Sequence, residues 1–271
     1  MDKMIMNRLR SDYDYCLSEG YTVVGVFLFG SQNYNMQTPE SDIDVKAVVI
    51  PALDDFVWGK TDIKEEISRE NGTLVIYDIA TFHKNIKKQS MNFVEILFTK
   101  YKIMNPEYQD LYSLMFEKKE SIATLNTFKC IHCTLSQTKE NYNKLFSERP
   151  SNEDRVRRAG YDYKAFAEIL RLQDFLNVRI SGVPYGLCLI PIDVTYLRRI
   201  KAYEEVFTLE QVKELADRCM KSMSDRVNLF DSVNGESVDE AMVDLVDEVT
   251  RNVILRYIKK EVHKNDRADS L

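Results

Sequence analysis

Residues 27–50 read FLFGSQNYNMQTPESDIDVKAVVI. The run that leads in, YTVVGVFLF (21–29), is rich in β-branched and aromatic residues and predicts a buried strand ending at Gly30. DIDVKAVVI (42–50) predicts a second strand, stopped by Pro51, with a polar loop between the two. At the first strand's end Gly30 has no side chain and Ser31 carries a small hydroxyl, so backbone amides can approach an anion. A Gly-Ser pair is by itself a common turn. The acidic pattern beyond the loop is less common: Asp42 and Asp44 alternate with Ile43 and Val45, and the period of two places both carboxylates on one strand face. Like charges there repel, and a divalent cation held by hard oxygens is the usual remedy.

Downstream, KEEISRENGTLVIYDI (64–79) reads as a hairpin with Asn71-Gly72 as its turn. Asp78 closes its second arm and is the expected third carboxylate. If that arm lies beside the strand of Asp42 and Asp44, three acids converge on a site for two Mg²⁺ about 3.5–4 Å apart. Upstream, Ile5, Leu9, Tyr13 and Cys16 recur at helical spacing up to Gly20. Helical patterning takes over near Thr81 and, after Asn105-Pro106, runs to the end. Thr208 with Gln211 and Ser237 with Glu240 fit capping boxes, each leading into an apolar face: Val212, Leu215, Cys219, Met223 and Val227 in one case, Leu245, Val249, Val253 and Tyr257 in the other. The fold class expected is α+β: a mixed β-sheet core flanked by helices in residues 1–105, then an α-helical domain in 106–271 that closes a cleft.

The 271 residues are 44% hydrophobic, with 15 Tyr, 13 Phe, nine Gly and six Pro, which excludes disordered, collagen-like and linker-rich classes. No apolar run approaches the length of a membrane span, and the charged first segment lacks a signal-peptide core, so cytoplasmic residence without a membrane partner is expected. Five cysteines in apolar surroundings read as reduced thiols. Cys130-Ile-His-Cys133 has no second ligand pair and reads as core rather than zinc. His83 and His263 show no partner.

The net charge is −6, yet residues 149–201 hold ten basic against six acidic side chains. A local patch of this kind suits a phosphate-bearing ligand better than a long DNA duplex. Arg157, Lys164 and Arg171 are seven residues apart and share one helical face, with Arg158 about 100° round. In SMNFVEILF (90–98) Asn92 and Glu95 are polar within an apolar run; Glu95 either caps a helix at the surface or meets a cation or a base edge in the cleft.

Gly30-Ser31, Asp42-Ile43-Asp44 and Asp78, in that order and spacing, resemble the signature of the DNA polymerase β-like nucleotidyltransferase superfamily. Within it, GSQNYN…SDIDVKAV, SMNFVEILF and RAGYDYKAFAEILRL look like the predicted nucleotidyltransferases first noted beside RNA ligases and common in phages and bacteria. The resemblance implies an enzyme that moves an NMP from an NTP to a hydroxyl acceptor and releases pyrophosphate, with Mg²⁺ or Mn²⁺ as cofactor. It assigns Asp42, Asp44 and Asp78 to metal and catalysis, Gly30 and Ser31 to the phosphates, and Lys164, then Arg157 or Arg158, to the triphosphate. Departures stand at Asn35 and Ala47, where Gly is common, and at Glu168, where His is frequent. The acceptor stays open among a tRNA-sized RNA, a protein and a small molecule; a phage-encoded chain would act in the host cytoplasm. The alternative is a nucleotide-binding regulatory or partner-binding module that keeps the pocket without turnover.

Overall fold

The structure is a computed structural model and describes residues 2–268. Helix α1 (Asp2–Ser18) buries Ile5, Leu9 and Cys16 and ends at Gly20, φ +85°. Strands β1 (Thr22–Phe29) and β2 (Asp44–Ile50) pair antiparallel across the polar loop, so that Phe29 lies opposite Asp44. After α2 (Leu53–Trp58), β3 (Lys64–Arg69) and β4 (Gly72–Asp78) form the hairpin. Pairing of Arg69 with Gly72 puts its turn at Glu70-Asn71, one residue before the expected place. The displaced glycine has another task. It holds φ +115°, and a Cβ on it would stand 2.6 Å from the carbonyl oxygen of Ile43, whose N–H donates to Asn71 O at 2.9 Å. Only glycine lets the hairpin turn come this close to the Asp42-Ile43-Asp44 segment.

Helix α3 (Ile79–Lys87), α4 (Met91–Val94) and a 3₁₀ turn over Glu95–Phe98 lead into β5 (Lys102–Met104), a short strand that the sequence pattern does not show. The sheet order is β3-β4-β2-β1-β5; only β2 and β4 run parallel. From there the described chain is helical: α5 (Gln109–Glu117), α6 (Lys119–Ala123), α7 (Thr127–Lys144), α8 (Glu153–Ala159), α9 (Tyr163–Ile180), α10 (Tyr185–Cys188), α11 (Val194–Lys201), α12 (Leu209–Val233) and α13 (Glu240–Ala268). No helix among the described residues is long and apolar enough to cross a membrane. The Thr208–Gln211 capping box forms. The Ser237–Glu240 box does not, because α13 starts at Glu240 itself and Asp239, directly before it, accepts the N–H of Met242 at 3.2 Å.

The α+β architecture has three cores. One sheet face packs on α1 through Val26, Leu28, Val45 and Leu74. The other packs Val24, Phe27 and Val48 against Phe82, Tyr112, Val249 and Val253. A third centres on α9, from Phe166 to Leu176, with α7, α11 and α12 around it. The sheet-side core therefore runs through position 105, since α13 folds back onto α3 and α5. His83 fastens that return: its ring nitrogens bond Thr250 Oγ1 and Tyr112 Oη, each at 2.5 Å, and burial pushes its pKa down to about 3, so it stays neutral.

Candidate functional site

The end of β1 and the start of β2 lie side by side, which brings the Gly-Ser turn to the Asp pair. Gly30 sits at φ +84°, and a Cβ there would be 3.7 Å from Asp44 Oδ2. Ser31 begins a 3₁₀ turn over Ser31–Tyr34 that closes on Asn35 at φ +58°. That position does need a left-handed residue, and Asn is among the side chains that adopt it at least cost. Ala47, by contrast, is ordinary buried strand paired with Val26, where a glycine has no conformational role. Asp44 accepts the Thr73 N–H at 3.1 Å. Burial raises its pKa against that bond, and the charge of the exposed Asp42 adds to the rise.

Asp78 is elsewhere. Because β4 runs parallel to β2, its start and not its end lies beside the Asp pair: Val45 pairs with Leu74, and Asp78 lies opposite Val49. Five residues of strand put Asp78 roughly 16 Å from the Asp44 end of the sheet. It is 1% exposed and saturated, Oδ1 accepting the Thr81 N–H at 2.8 Å as the α3 N-cap and Oδ2 the Ile63 N–H at 3.1 Å. Beside Asp44 the residue on β4 is Thr73. No cluster of three or more His, Cys, Asp or Glu suited to a metal occurs among the described residues. Asp42 and Asp44 offer hard oxygens for a divalent cation, and no third such residue groups with them among the described residues.

The helical wall is built by α9 and α11. Lys164 lies in the first turn of α9 with Glu168 one turn on, and α11 ends at Lys201. The Lys201 ammonium donates to Met36 O and Ser41 Oγ, each at 3.2 Å. Burial and then Lys164 push its pKa down to about 8, while Glu168, Asp42 and Asp44 pull it up. Lys201 thus lies within electrostatic reach of all four of these groups.

Arg157 and Arg158 do not share a helix with Lys164, and Arg171, seven residues along the same face of α9, is buried. Helix α8 stops at Gly160, φ +79°, and α9 starts anew from Asp162, which accepts the N–H groups of Lys164 and Ala165. The seven-residue spacing from Arg157 therefore crosses a helix break. Arg157 is exposed and paired with Glu148 and Glu153. Arg158 lies 4.8 Å over the Tyr203 ring, which stacks on Tyr163. Arg171 is 1% exposed, forked onto Glu168 at 2.6 and 2.8 Å and 4.1 Å over the Tyr34 ring. It supports the site from beneath.

Glu95 also lies beneath the site rather than in its mouth. It is fully buried, and Oε1 accepts the Gly30 N–H at 3.4 Å. The cation that acts most on its charge is Lys46, two residues after Asp44 on the same strand face, whose ammonium donates to Asn92 O at 2.9 Å and stands 3.3 Å from the Phe29 ring centre. Burial pushes Lys46 down to about 8, against the pull of Glu95 and Asp44. Phe29, Asp44, Lys46, Thr73, Asn92 and Phe93 line a cavity of about 310 Å³ here.

No protein-family model matches the chain, and no curated protein matches it. Among solved structures it is similar to a nucleotidyltransferase-like protein from Exiguobacterium sibiricum 255-15, at 12% identity and a TM-score of 0.32, over 83% of this chain and 76% of that one. What the site does has to be read from its own residues.

Lys46, Lys201 and Thr73 belong to the site without having been singled out in the sequence. Lys46 was legible, since the alternation that aligns Asp42 with Asp44 aligns Lys46 as well. Nothing in the run RRIK announces Lys201.

Glu95 gives the site a pH signature. Burial, outweighing Lys46, Tyr34 and Arg171, raises its pKa from 4.5 to about 7. Between those values the folded state holds a proton the unfolded state has released, so this group's contribution to stability is full below pH 4.5 and declines as pH rises toward 7. Urea melts of wild type and Glu95→Gln across roughly pH 4.5–7.5 should show the difference between them changing with that sign. A pH-independent difference would mean that Glu95 does not titrate there.

Proposed function

We propose that the chain is a divalent-cation-dependent nucleotidyltransferase that moves an NMP from an NTP to a hydroxyl acceptor and releases pyrophosphate. The supporting observation is one juxtaposition: Gly30 of the Gly-Ser turn lies against Asp44, and Lys201 bonds Ser41, next to Asp42, with Lys164 close enough to act on the charge of Lys201. Asp42 and Asp44 would hold a single Mg²⁺ or Mn²⁺, which supplies neutralisation of phosphate charge. Gly30, lacking a side chain, leaves room for a phosphate against the backbone, and the Ser31 hydroxyl donates to it. Lys164 and Lys201 donate to the triphosphate, and Lys201 also ties loop 36–41 to the helical wall. Asp78, spent as a helix cap, takes no part in deprotonating the acceptor.

The occupation of Asp78 elsewhere, with Thr73 beside Asp44, favours a second reading, a module that binds nucleotide without turnover. Each labelled NTP with Mg²⁺ or Mn²⁺ and cell extract separates the two. Label in RNA, protein or a small product, with pyrophosphate released, supports the enzyme; tight NTP binding with no release under any acceptor supports the module. Absence of NTP binding overturns both.

The lysines carry their own prediction. Lys164→Ala should weaken NTP binding about 10–100-fold while leaving the nucleoside nearly unchanged, since only phosphates offer charge-assisted bonds of roughly 1.5–3 kcal/mol. The loss should shrink at high salt. Arg157→Ala should change neither. Calorimetric titration with both ligands checks this, and equal losses for NTP and nucleoside would remove Lys164 from the phosphate site.

A further inference from the structure

The 3₁₀ turn that Ser31 begins carries Gln32 next, and Gln32 lines a separate cavity of about 240 Å³. Strand β1 pairs with β2 on one edge and with β5 on the other. The Asp42/Asp44 mouth is at the β2 edge. The cavity is at the β5 edge, walled by segment 98–101 that leads into β5, by the start of α1 and by Ile190. It shares no lining residue with the cavity of Phe29, Asp44 and Lys46.

Gln32 is the polar group that this loop leaves unused. It is 9% exposed, and neither Nε2 nor Oε1 has a hydrogen-bond partner among the described residues. Its neighbours are tied: Asn33 Nδ2 donates to Leu28 O at 3.1 Å, Asn33 Oδ1 accepts from Thr99 Oγ1 at 2.9 Å, and Gln37 Oε1 accepts from Arg198 Nη2 at 3.5 Å. A carboxamide buried without partners is costly, and such groups in folded proteins are normally bonded. Unlike the orphaned Oε1 of the buried Gln89, neither polar atom of Gln32 is sealed from solvent, so both are open to a ligand in the cavity.

Around Gln32 the wall is apolar and aromatic, from Ile5, Phe98, Tyr101 and Ile190. The Tyr101 hydroxyl is spent on Asp2 Oδ1 at 2.7 Å, which occupies the one carboxylate of the lining as well. A sugar would call for several free polar groups, whereas one buried carboxamide is free here. Its donor and acceptor lie side by side in a plane, the arrangement that pairs bidentately with N6–H and N7 of adenine, and an apolar wall with few polar groups suits the flat faces of a base.

We propose that this cavity is a second ligand site, taking an adenine base on the Gln32 carboxamide. It goes beyond the transfer reaction proposed above and stands whether or not the mouth turns over.

Thermal melts of the full chain with adenosine, purine riboside and ribose test it. Adenosine should raise Tm by roughly 5 °C at about 100 times its Kd. Purine riboside, which lacks the N6–H donor, should bind at least several-fold more weakly, and ribose should do nothing. Gln32→Met keeps the length of the side chain and takes an unpartnered amide out of the interior, so it should hold or raise Tm without ligand and abolish the preference for adenosine. Should that variant fail to fold, Ile190→Trp, at a position 38% exposed, fills the cavity from its rim and should abolish the adenosine shift. Hydrogen exchange at 98–101 should slow with adenosine and not with ribose. A short RNA ending in adenosine that binds more tightly than the nucleoside assigns the base to a strand end; one that does not assigns it to a free nucleotide. No shift with adenosine, an equal shift with purine riboside, or a shift that survives both Gln32→Met and Ile190→Trp overturns the site.

Discussion

Replacing Asp42 and Asp44 together by Asn should lower nucleotidyl transfer at least about 10³-fold, since the electrostatic stabilisation of developing charge at such centres is worth several kcal/mol. The fold should not suffer. Asp44 is a desolvated carboxylate held against Asp42, and Asn in its place still accepts the Thr73 N–H. Its melting temperature should hold or rise. Asp78→Ala should do the reverse: it strips the cap from α3 and an acceptor from Ile63, at a cost of about 1–3 kcal/mol, and leaves cation-dependent NTP binding intact in the folded protein. Steady-state pyrophosphate release and urea melts on both variants make the comparison. Turnover retained in the double Asn variant would sink the proposed chemistry. Cation-dependent binding lost in a well-folded Asp78→Ala would show that the far end of β4 belongs to the site after all.

Arg171→Met should have the largest effect on stability of any single change near the site, roughly 3–5 kcal/mol. The guanidinium is buried against Glu168 and the Tyr34 ring, and its removal takes away the ion-pair partner of Glu168. The double variant Arg171→Met/Glu168→Gln should recover part of the loss, because the partner charge goes as well, with a coupling of about 0.5–3 kcal/mol. Denaturation midpoints at unchanged m values measure both. A stable Arg171→Met that has lost only NTP affinity would mean that Arg171 faces the ligand, as its spacing from Lys164 alone would have it.

Asp78 and Arg171 mark how far sequence pattern reaches and where it stops. Strand periodicity was enough to put Asp44 and Lys46 on one face, and the apolar run into Gly30 was enough to end a strand beside them, because a period of two is a property of the extended backbone; β2 begins only at Asp44, however, and leaves Asp42 in the segment before it. Helix starts were legible where the cap lies within four residues of its target, as at Thr208; at Ser237 a nearer Asp took the role.

Partners distant in sequence were not legible, since they depend on the direction in which a strand is laid down and on where a helix breaks. Parallel pairing of β4 with β2 sends Asp78 to the wrong end of the sheet and brings Thr73 to Asp44. Gly160 splits a run that reads as one helix into two, so Arg157 turns to Glu148 and Glu153 while Lys164 meets Lys201, a residue 37 positions further on. The sequence by itself determined which short segments carry the chemistry, through local backbone geometry. Which of those groups stand together was decided only by tertiary packing, where strand direction and the burial of Glu95, Lys46 and Arg171 select the neighbours of each charge.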